Sequence, residues 1–199
     1  MTKDNIIDIK ENELKTALAR HDKGAVIMLE LPAENYFEEN ASSVKFLTKN
    51  GYEGVYVSFN RPFKNISSLL EWHGIDINSL FIVDGAIAFS GETKEKNPRC
   101  INISSKMDID EMVRAICASL SKLKSEKKFV FIDSLTTMGL YKPLSDMKRF
   151  SEFLVRAVKK HKIGNVTFLF NITEDPSQKG FIKDMDPYTD EFLHLGRCT

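Results

Sequence analysis

The sequence predicts an α/β domain of three layers, in which helices cover both faces of a mainly parallel central sheet. Five apolar runs of strand length occur along the chain, and continuous apolar runs are typical of strands buried on both faces of a parallel sheet. Segments with the spacing of amphipathic helices separate the runs, as crossover connections between parallel strands require. The five strands are predicted at Val26–Leu31, Gly54–Phe59, Phe81–Val83, Phe129–Asp133 and Val166–Phe170.

One domain, residues 1–199, is expected for the whole chain. Its 199 residues and 42% hydrophobic content suit a single sizeable core. Residues 1–10 are polar and are expected to form a flexible or peripheral segment. The N-terminus lacks an apolar signal core, and no apolar run approaches the roughly 20 residues that span a bilayer. The expected location is therefore the cytoplasm, without membrane contact.

Three helices are predicted in the first half of the chain. The first lies in ENELKTALARHDKG, which has apolar residues at helical spacing. The second follows Pro32 and ends at Asn50-Gly51. The third, NISSLLEWHG, is closed by Gly74 just beyond its C-terminus, and its Trp72 is expected to pack in the core.

The second half predicts two further helices and two short strands. Residues 86–97 have little periodicity and predict an exposed, mobile loop, whereas INIS and EFLHL predict strands. A strongly amphipathic helix begins at Asp108. SLTTMGLYKP and EDPSQKG are predicted to be loops. The other helix of this half, which follows SLTTMGLYKP, carries on one face Leu144, Met147, Phe150, Leu154 and Val158.

The composition argues against several kinds of site. Lys plus Arg and Asp plus Glu both number 28, so no overall field attracts nucleic acid or an anionic membrane. Cys100, Cys117 and Cys198 lack CxxC spacing, and the four histidines lack the spacing of metal ligands. We therefore predict no metal site and no disulfide framework. There is also no G-x-S-x-G elbow for a hydrolase nucleophile.

Polar residues follow several of the predicted strands. Asn60-Arg61 follows the second strand, Asp84-Gly85 the third and Asp133-Ser134 the fourth. In open parallel sheets, ligands bind outside the carboxyl ends of the strands. An apolar run closed by an acid, such as FVFIDS, is the pattern by which P-loop NTPases place an Asp near magnesium. Because an Asp after a strand is at least as often a turn residue, we expect Asp133 to bond loop amides rather than a metal.

The order of these segments resembles the KaiC-like branch of the RecA superfamily of ATPases. In that family the second strand reads close to YVSFEE, a later helix contains a phrase like FGWD, and the magnesium strand reads close to VVIDSLT. The firmest matches here are YVSF at 56–59 and IDSLT at 132–136, within a likeness that runs from about Gly24 to Leu195. The resemblance implies a RecA-like fold, an ATP and magnesium site, and subunits that assemble side by side.

The segment PAENYFEEN departs from the family where its glycine-rich phosphate loop would lie. By length, Asn35, Tyr36 and Phe37 fall near the family's Gly-Lys-Thr positions. Without glycines, the close approach of backbone N–H groups to phosphate becomes difficult. We expect Tyr36 and Phe37 to form a local cap over the sheet end.

Acidic residues also replace the basic charge of that loop. Glu34, Glu38 and Glu39 gather at the start of the following helix, where the helix dipole favours carboxylates by roughly 0.3–1 kcal/mol each. We predict that at least one of them accepts helix N–H groups in place of phosphate.

The family's catalytic Glu after the second strand is missing as well. Asn60 and Arg61 stand there; an Asn cannot accept a proton from water, and an Arg has the wrong charge to do so. No ATP hydrolysis is therefore expected, and no ATP, magnesium or other cofactor. The positions of a vestigial nucleotide site are predicted to be Asn35, Tyr36, Asn60, Arg61, Asp133 and Ser134.

The expected role is that of a non-hydrolysing regulatory or interaction module. A protein partner or a homo-oligomer would use the side-by-side surface that the resemblance implies. The alternative is a nucleotide-binding protein with an unorthodox loop, in which Asn35, Arg61 and Asp133 surround the ligand. A nucleic-acid accessory role follows from the resemblance alone and is disfavoured by the neutral charge.

Overall fold

In the part of the chain that the structure describes, seven strands form one sheet in the order β4-β3-β2-β5-β6-β1-β7, and every neighbouring pair is parallel. The computed structural model describes residues 3–21, 23–90, 96–104, 106–160, 163–174 and 179–195. The strands are β1 Val26–Leu31, β2 Glu53–Ser58, β3 Leu80–Asp84, β4 Cys100–Asn102, β5 Lys128–Asp133, β6 Val166–Thr173 and β7 Glu191–His194.

Helices cover both faces of this sheet, which confirms the predicted three-layer α/β architecture. They are α1 Lys3–Arg20, α2 Tyr36–Lys49, α3 Phe63–Trp72, α4 Ile87–Ser90, α5 Ile109–Leu120, α6 Leu135–Met138, α7 Leu144–Lys160 and α8 Lys179–Met185. Short 3₁₀ turns lie at Ile77–Ser79 and Asp186–Tyr188.

Each face of the sheet has its own apolar cluster, because continuous apolar strands present side chains to both sides. The α1, α2 and α3 helices bury Leu14, Val44 and Ile66 against one face. The α5 and α7 helices bury Ile116 and Phe150 against the other. The helices on the two faces therefore pack against different side chains of the same strands.

Gly24 and Gly74 lie at turns beside these elements in backbone conformations that favour glycine. Gly24 precedes β1 with φ of +92°, and a Cβ there would lie 2.5 Å from the carbonyl oxygen of Val166. Gly74 follows α3 with φ of +73°, the left-handed conformation that commonly closes a helix. The predicted ends of the second and third helices, at Asn50-Gly51 and Gly74, are confirmed.

The structure corrects several predictions for the first half of the chain. The first helix begins at Lys3 rather than in the predicted segment ENELKTALARHDKG, so residues 3–10 belong to it. That residues 1–10 form a flexible or peripheral segment stays a prediction. Residues 87–90 of the predicted 86–97 loop form α4, with Ala86 and Ile87 buried, while residues 91–95 lie outside the described residues. Trp72 is 80% exposed rather than packed in the core, because it is the last residue of α3.

Two corrections concern the second half. The predicted loop SLTTMGLYKP begins with α6, whose Leu135 and Met138 are buried. Leu144 opens α7 but is 49% exposed, so it does not share the buried face of Met147. The prediction for Cys198 lies outside the described residues, as does most of the EDPSQKG loop. No helix in the described ranges is both long and apolar enough to cross a bilayer.

Candidate functional site

The sheet order explains how distant residues meet at the carboxyl edge of the sheet. Because β6 and β5 lie between β1 and β2, the α2 helix must cross both of them as it connects β1 to β2. Its first turn therefore lies over the ends of β5 and β6. This places the first residue of α2, Tyr36, beside the last residue of β5, Asp133.

Asp133 is fully buried and accepts three side-chain hydrogen bonds. The Tyr36 hydroxyl donates to its Oδ1 at 2.7 Å, and Asn40 Nδ2 donates to the same oxygen at 3.1 Å. The Tyr56 hydroxyl, from β2, donates to Oδ2 at 2.5 Å. Both carboxyl oxygens are thus engaged by side chains, which corrects the expectation that loop amides hold Asp133. Its peptide bond to Ser134 is cis.

A second layer of the network fixes Asn40. Asn171 in β6 donates from Nδ2 to Oδ1 of Asn40 at 2.7 Å, and both side chains are fully buried. The i, i+4 spacing of Tyr36 and Asn40 places them on one face of α2. Asn171 Oδ1 has no hydrogen-bond partner among the described residues. The α2 helix is therefore attached through polar groups to both β5 and β6.

Burial dominates the electrostatics of this network. It raises the pKa of the Asp133 carboxyl, while hydrogen bonds from Tyr56, Tyr36 and Asn40 and the charge of Arg61 oppose that rise. Burial followed by the nearby Asp133 raises the pKa of Tyr36 and of Tyr56 well above the usual range for tyrosine. The two hydroxyls therefore keep their protons and act as donors to the carboxyl group.

The turn after β2 holds Asn60 and Arg61. Ser58 Oγ donates to the carbonyl oxygen of Arg61 at 2.7 Å and accepts from its N–H at 3.2 Å. The Arg61 guanidinium lies over the ring of Phe37, 4.9 Å from its centre, and its Nη1 is buried without a hydrogen-bond partner in the described structure. Asn60 is exposed.

The remaining predicted site residues lie at the ends of helices. Asn35 precedes α2 and is exposed, and its side chain does not cap that helix. Ser134 is buried and caps α6, because its Oγ accepts from the N–H of Thr137 at 3.0 Å. The structure thus brings Tyr36, Arg61 and Asp133 together, leaves Asn35 at the surface and gives Ser134 a capping role.

An open cleft of about 520 Å³ adjoins this network, and Tyr36 forms part of its lining. Its lining includes Glu34, Phe37, Glu38, Asn60 and Arg61, with Leu69 and Thr173. Glu34 and Glu38 are exposed and Glu39 is half-buried. That one of these carboxylates replaces phosphate at the start of α2 stays a prediction.

Asp84, at the end of β3, stabilises the chain rather than contributing to the cleft. Its Oδ2 accepts from the N–H of Phe63 at 2.7 Å and its Oδ1 from the N–H of Ile87 at 2.9 Å. Since Asp84 is fully buried, it satisfies the first N–H groups of α3 and α4 where water cannot reach them. Among the described residues, no group of three or more His, Cys, Asp or Glu is placed to hold a metal.

Sequence reasoning missed Tyr56, Asn40 and Asn171 as members of the network. Tyr56 was part of the strand match YVSF, and its hydroxyl gave no separate signal. Asn171 offered one, since it is a polar residue within the buried run NVTFLFN. A buried amide of this kind needs hydrogen-bond partners from a neighbouring element.

The comparisons with known proteins agree with this fold. A family model described as "ATPase: KaiC" matches residues 42–185, more than half of the chain. No curated protein matches the chain. Both solved structures described next are under 25% identical to it, so they show likeness of fold alone.

Two of the similar solved structures come from Pyrococcus horikoshii. One is the uncharacterized protein PH0321 in complex with an unknown peptide, with 16% identity, a TM-score of 0.67, and 90% of this chain and 82% of that chain covered. The other is the KaiC-like protein PH0186, with 15% identity, a TM-score of 0.57, and 86% and 72% covered.

Proposed function

We propose that this chain, which belongs to the KaiC family of ATPases, does not hydrolyse ATP and acts as a regulatory or protein-interaction domain. The main observation in support is that the hydroxyls of Tyr36 and Tyr56 each donate a hydrogen bond to one oxygen of Asp133. The family resemblance assigns this acid to magnesium. Here its two oxygens already have donors from within the chain.

The residues present do not fit magnesium-ATP. Magnesium binds carboxylates in their ionised form, whereas burial raises the pKa of Asp133 and a tyrosine hydroxyl donates to each of its oxygens. Tyr36 lies near the position of the phosphate-loop lysine and turns its hydroxyl inward to Asp133. The family match itself begins at residue 42, after the PAENYFEEN segment.

The second part of the hydrolytic machinery is absent for a separate reason. Asn60 and Arg61 occupy the turn where the family carries its catalytic Glu, and neither accepts a proton from water. Arg61 instead lies over Phe37 and near the buried acid. Two independent losses support a fold retained for another purpose.

An interaction role is supported by the exposed cleft and by one neighbour in structure. The cleft remains open beside the Asp133 network, so the edge of the sheet offers a surface even without nucleotide. The similar protein PH0321 was crystallised with an unknown peptide. We extend to this chain the idea that a protein segment, rather than a nucleotide, uses the surface.

Nucleotide binding without hydrolysis is the second candidate. The cleft and the unpartnered Nη1 of Arg61 favour it, because a buried guanidinium donor suits an anionic group. The exposed Glu34 and Glu38 at the same cleft disfavour it. A like-charge contact at about 4 Å costs on the order of 4 kcal/mol in a partly screened setting.

Phosphate release and thermal unfolding in magnesium-ATP test the proposal together. We expect no turnover and no rise in melting temperature, whereas a ligand at 100 times its Kd would add roughly 2.7 kcal/mol of stability. Turnover that disappears in Asp133→Asn would contradict the proposal. Stabilisation without turnover, lost in Arg61→Ala but kept in Glu126→Gln at the opposite edge, would favour the second candidate.

A further inference from the structure

A second cavity, of about 460 Å³, lies at the edge of the sheet where the parallel strands begin. Its size is within the range of pockets that hold small organic molecules. The C-terminal halves of α1 and α2 wall it, and the residues before β1, β2 and β5 and at the start of β6 close its base. We name it the amino-end cavity, and its lining includes Lys15, Leu18, Phe46, Tyr52, Lys127 and Thr167.

Thr167 lies on the sheet side of this cavity and has a hydroxyl group without a partner. It is 3% exposed. Leu169, two residues further on, belongs to the cluster under α1 and α2, so the alternation of strand side chains turns Thr167 to the same face. In the described part of the chain, no hydrogen bond joins its side chain to another group. Because buried hydroxyls almost always have a partner, this one is available to a molecule in the cavity.

Two aromatic rings contribute apolar wall to the cavity. Phe46, from α2, and Tyr52, just before β2, are both half-buried and pack against the cluster under α1 and α2. Nζ of Lys127 lies over the Tyr52 ring, 5.4 Å from its centre. Burial raises the pKa of Tyr52, so its hydroxyl keeps its proton and can donate. Pockets for small molecules combine apolar and aromatic walls with a few polar groups in this way.

The rim of the cavity carries two lysines and one glutamate. Lys15 and Lys127 are exposed, and no carboxylate pairs with either of them in the described structure. His21 also lines the cavity, but its Nε2 lies 3.3 Å from Oε2 of Glu191. With Glu126 counted against the two lysines, one positive charge remains, which matches a monoanion.

The helices beside the cavity favour a low ligand charge for a second reason. The C-terminal ends of α1 and α2 carry partial negative charge, which opposes a doubly charged phosphate more than a carboxylate. Lys15 lies before the last turn of α1, and Lys127 lies outside the helices. Neither lysine is therefore explained by stabilisation of a helix terminus, whose effect is confined to the last turn.

We propose that the amino-end cavity binds a small aromatic monocarboxylic acid. The ring of the ligand would lie against Phe46 and Tyr52, and its carboxylate would meet Lys15 and Lys127 at the rim. A polar substituent at the far end of the ring would reach the hydroxyl of Thr167. The site goes beyond the proposed function and does not depend on it, because the two cavities have no lining residue in common among those described.

Calorimetric titration of the full chain with naphthoate tests the site, and naphthamide is the matched probe without charge. Naphthoate is expected to bind with a Kd below about 1 mM, and naphthamide about tenfold or more weakly, because it cannot form charge-assisted hydrogen bonds with the lysines. The variant Lys15→Gln/Lys127→Gln should weaken naphthoate by a similar factor and leave naphthamide unchanged. Lys64→Gln/Lys183→Gln makes the same charge change at exposed positions outside the cavity and should bind as wild type.

Two further variants test the interior of the cavity. Ala19, an exposed lining residue of α1, gives the variant Ala19→Phe, which fills the space without changing charge and should weaken both probes. A hydroxynaphthoate with its hydroxyl opposite the carboxylate should bind about two- to tenfold more tightly than naphthoate. Thr167→Val should remove that gain and leave naphthoate itself unchanged.

Three results would overturn the proposal. They are a failure of naphthoate to bind up to about 1 mM, equal binding of naphthoate and naphthamide, and binding that neither the lysine variant nor Ala19→Phe reduces. Circular dichroism shows that each variant is folded. The ATP measurements concern the opposite edge of the sheet, so failure here leaves the proposed function standing, and failure there leaves this site standing.

Discussion

The hydroxyl of Tyr36 lies 2.7 Å from Oδ1 of Asp133, and this hydrogen bond joins residues 97 positions apart in sequence. It connects the first residue of α2 to the last residue of β5. The family resemblance assigns Tyr36 to the segment of the phosphate loop and Asp133 to the position of the magnesium ligand. The hydrogen bond thus links two positions that the family resemblance assigns to a single bound ligand.

Removing the hydroxyl of Tyr56 is expected to destabilise the protein more than removing that of Tyr36. Among the described residues, Oδ2 of Asp133 accepts from Tyr56 alone, whereas Oδ1 keeps Asn40 as a donor when Tyr36 is changed. Tyr56→Phe should cost about 2–3 kcal/mol of unfolding free energy and Tyr36→Phe about 1–2 kcal/mol, because hydrogen bonds to charged or buried groups are worth that much. Urea unfolding measures both. Equal losses would show that the two oxygens are equally supported.

The two tyrosines also make the protein sensitive to alkali. The pKa of each is raised well above 10 in the folded state, so their contribution to stability is complete below the unfolded pKa of about 10 and is lost as pH rises above it. Stability should therefore fall above about pH 10, and the fall should be shallower in Tyr36→Phe and in Tyr56→Phe. Tyr188→Phe, at an exposed tyrosine, is the control and should leave the slope unchanged.

Asp133→Asn is expected to alter the pH dependence of stability in acid. Because the folded pKa of Asp133 is raised, its contribution is complete below the unfolded pKa of about 3.9 and is lost as pH rises through the folded pKa. The variant has no charge to bury, so its stability relative to wild type should increase over that window and then level off. Chemical unfolding from pH 3 upward measures the difference. A relative stability that falls with rising pH would mean that the ionised form is the one the network favours.

Much of the fold could be predicted because apolar runs of strand length that alternate with amphipathic helical segments favour a parallel sheet covered on both faces. Val26–Leu31 and Val166–Phe170 were predicted in this way and pair side by side in the sheet. The position of Asp133 at the carboxyl edge followed from the same reasoning. The prediction that Trp72 packs in the core was wrong. Its helical spacing predicts a shared face with Leu69 and Leu70, but the helix ends at this residue and leaves it at the surface.

The network around Asp133 could not be predicted because it depends on the order of the strands. Only when β5 and β6 lie between β1 and β2 does the start of α2 cross their ends. Tyr36 and Asn40 then reach residues 97 and 93 positions away. A sequence gives the spacing of Tyr36 and Asn40 on one helix face, but not the strands beneath that face.

Asp84→Asn should destabilise the protein by about 1–3 kcal/mol. Asp84 accepts from the backbone N–H groups of Phe63 and Ile87 with its two oxygens, and the amide would turn an NH₂ toward one of them. A buried N–H without an acceptor carries a penalty of that size. Asp76→Asn is a suitable control, since Asp76 is exposed and caps a single 3₁₀ turn; its cost should stay below about 1 kcal/mol. Similar losses at both sites would mean that burial adds nothing to the role of Asp84.

Changing Glu34, Glu38 and Glu39 to Gln separates two explanations for a missing nucleotide. If repulsion by these acids alone excludes ATP, their neutralisation should create binding. If Tyr36 and the lack of glycines exclude it, as the engaged Asp133 indicates, binding should remain absent. We expect no stabilisation by magnesium-ATP, and a loss of roughly 0.3–1 kcal/mol for each carboxylate that favours the helix dipole, reduced by added salt. Thermal unfolding with and without magnesium-ATP measures both effects, with Glu13→Gln/Glu126→Gln as the control away from α2. A clear stabilisation by ATP in the triple variant, absent in the control, would make charge the barrier and would reopen the cleft as a nucleotide site.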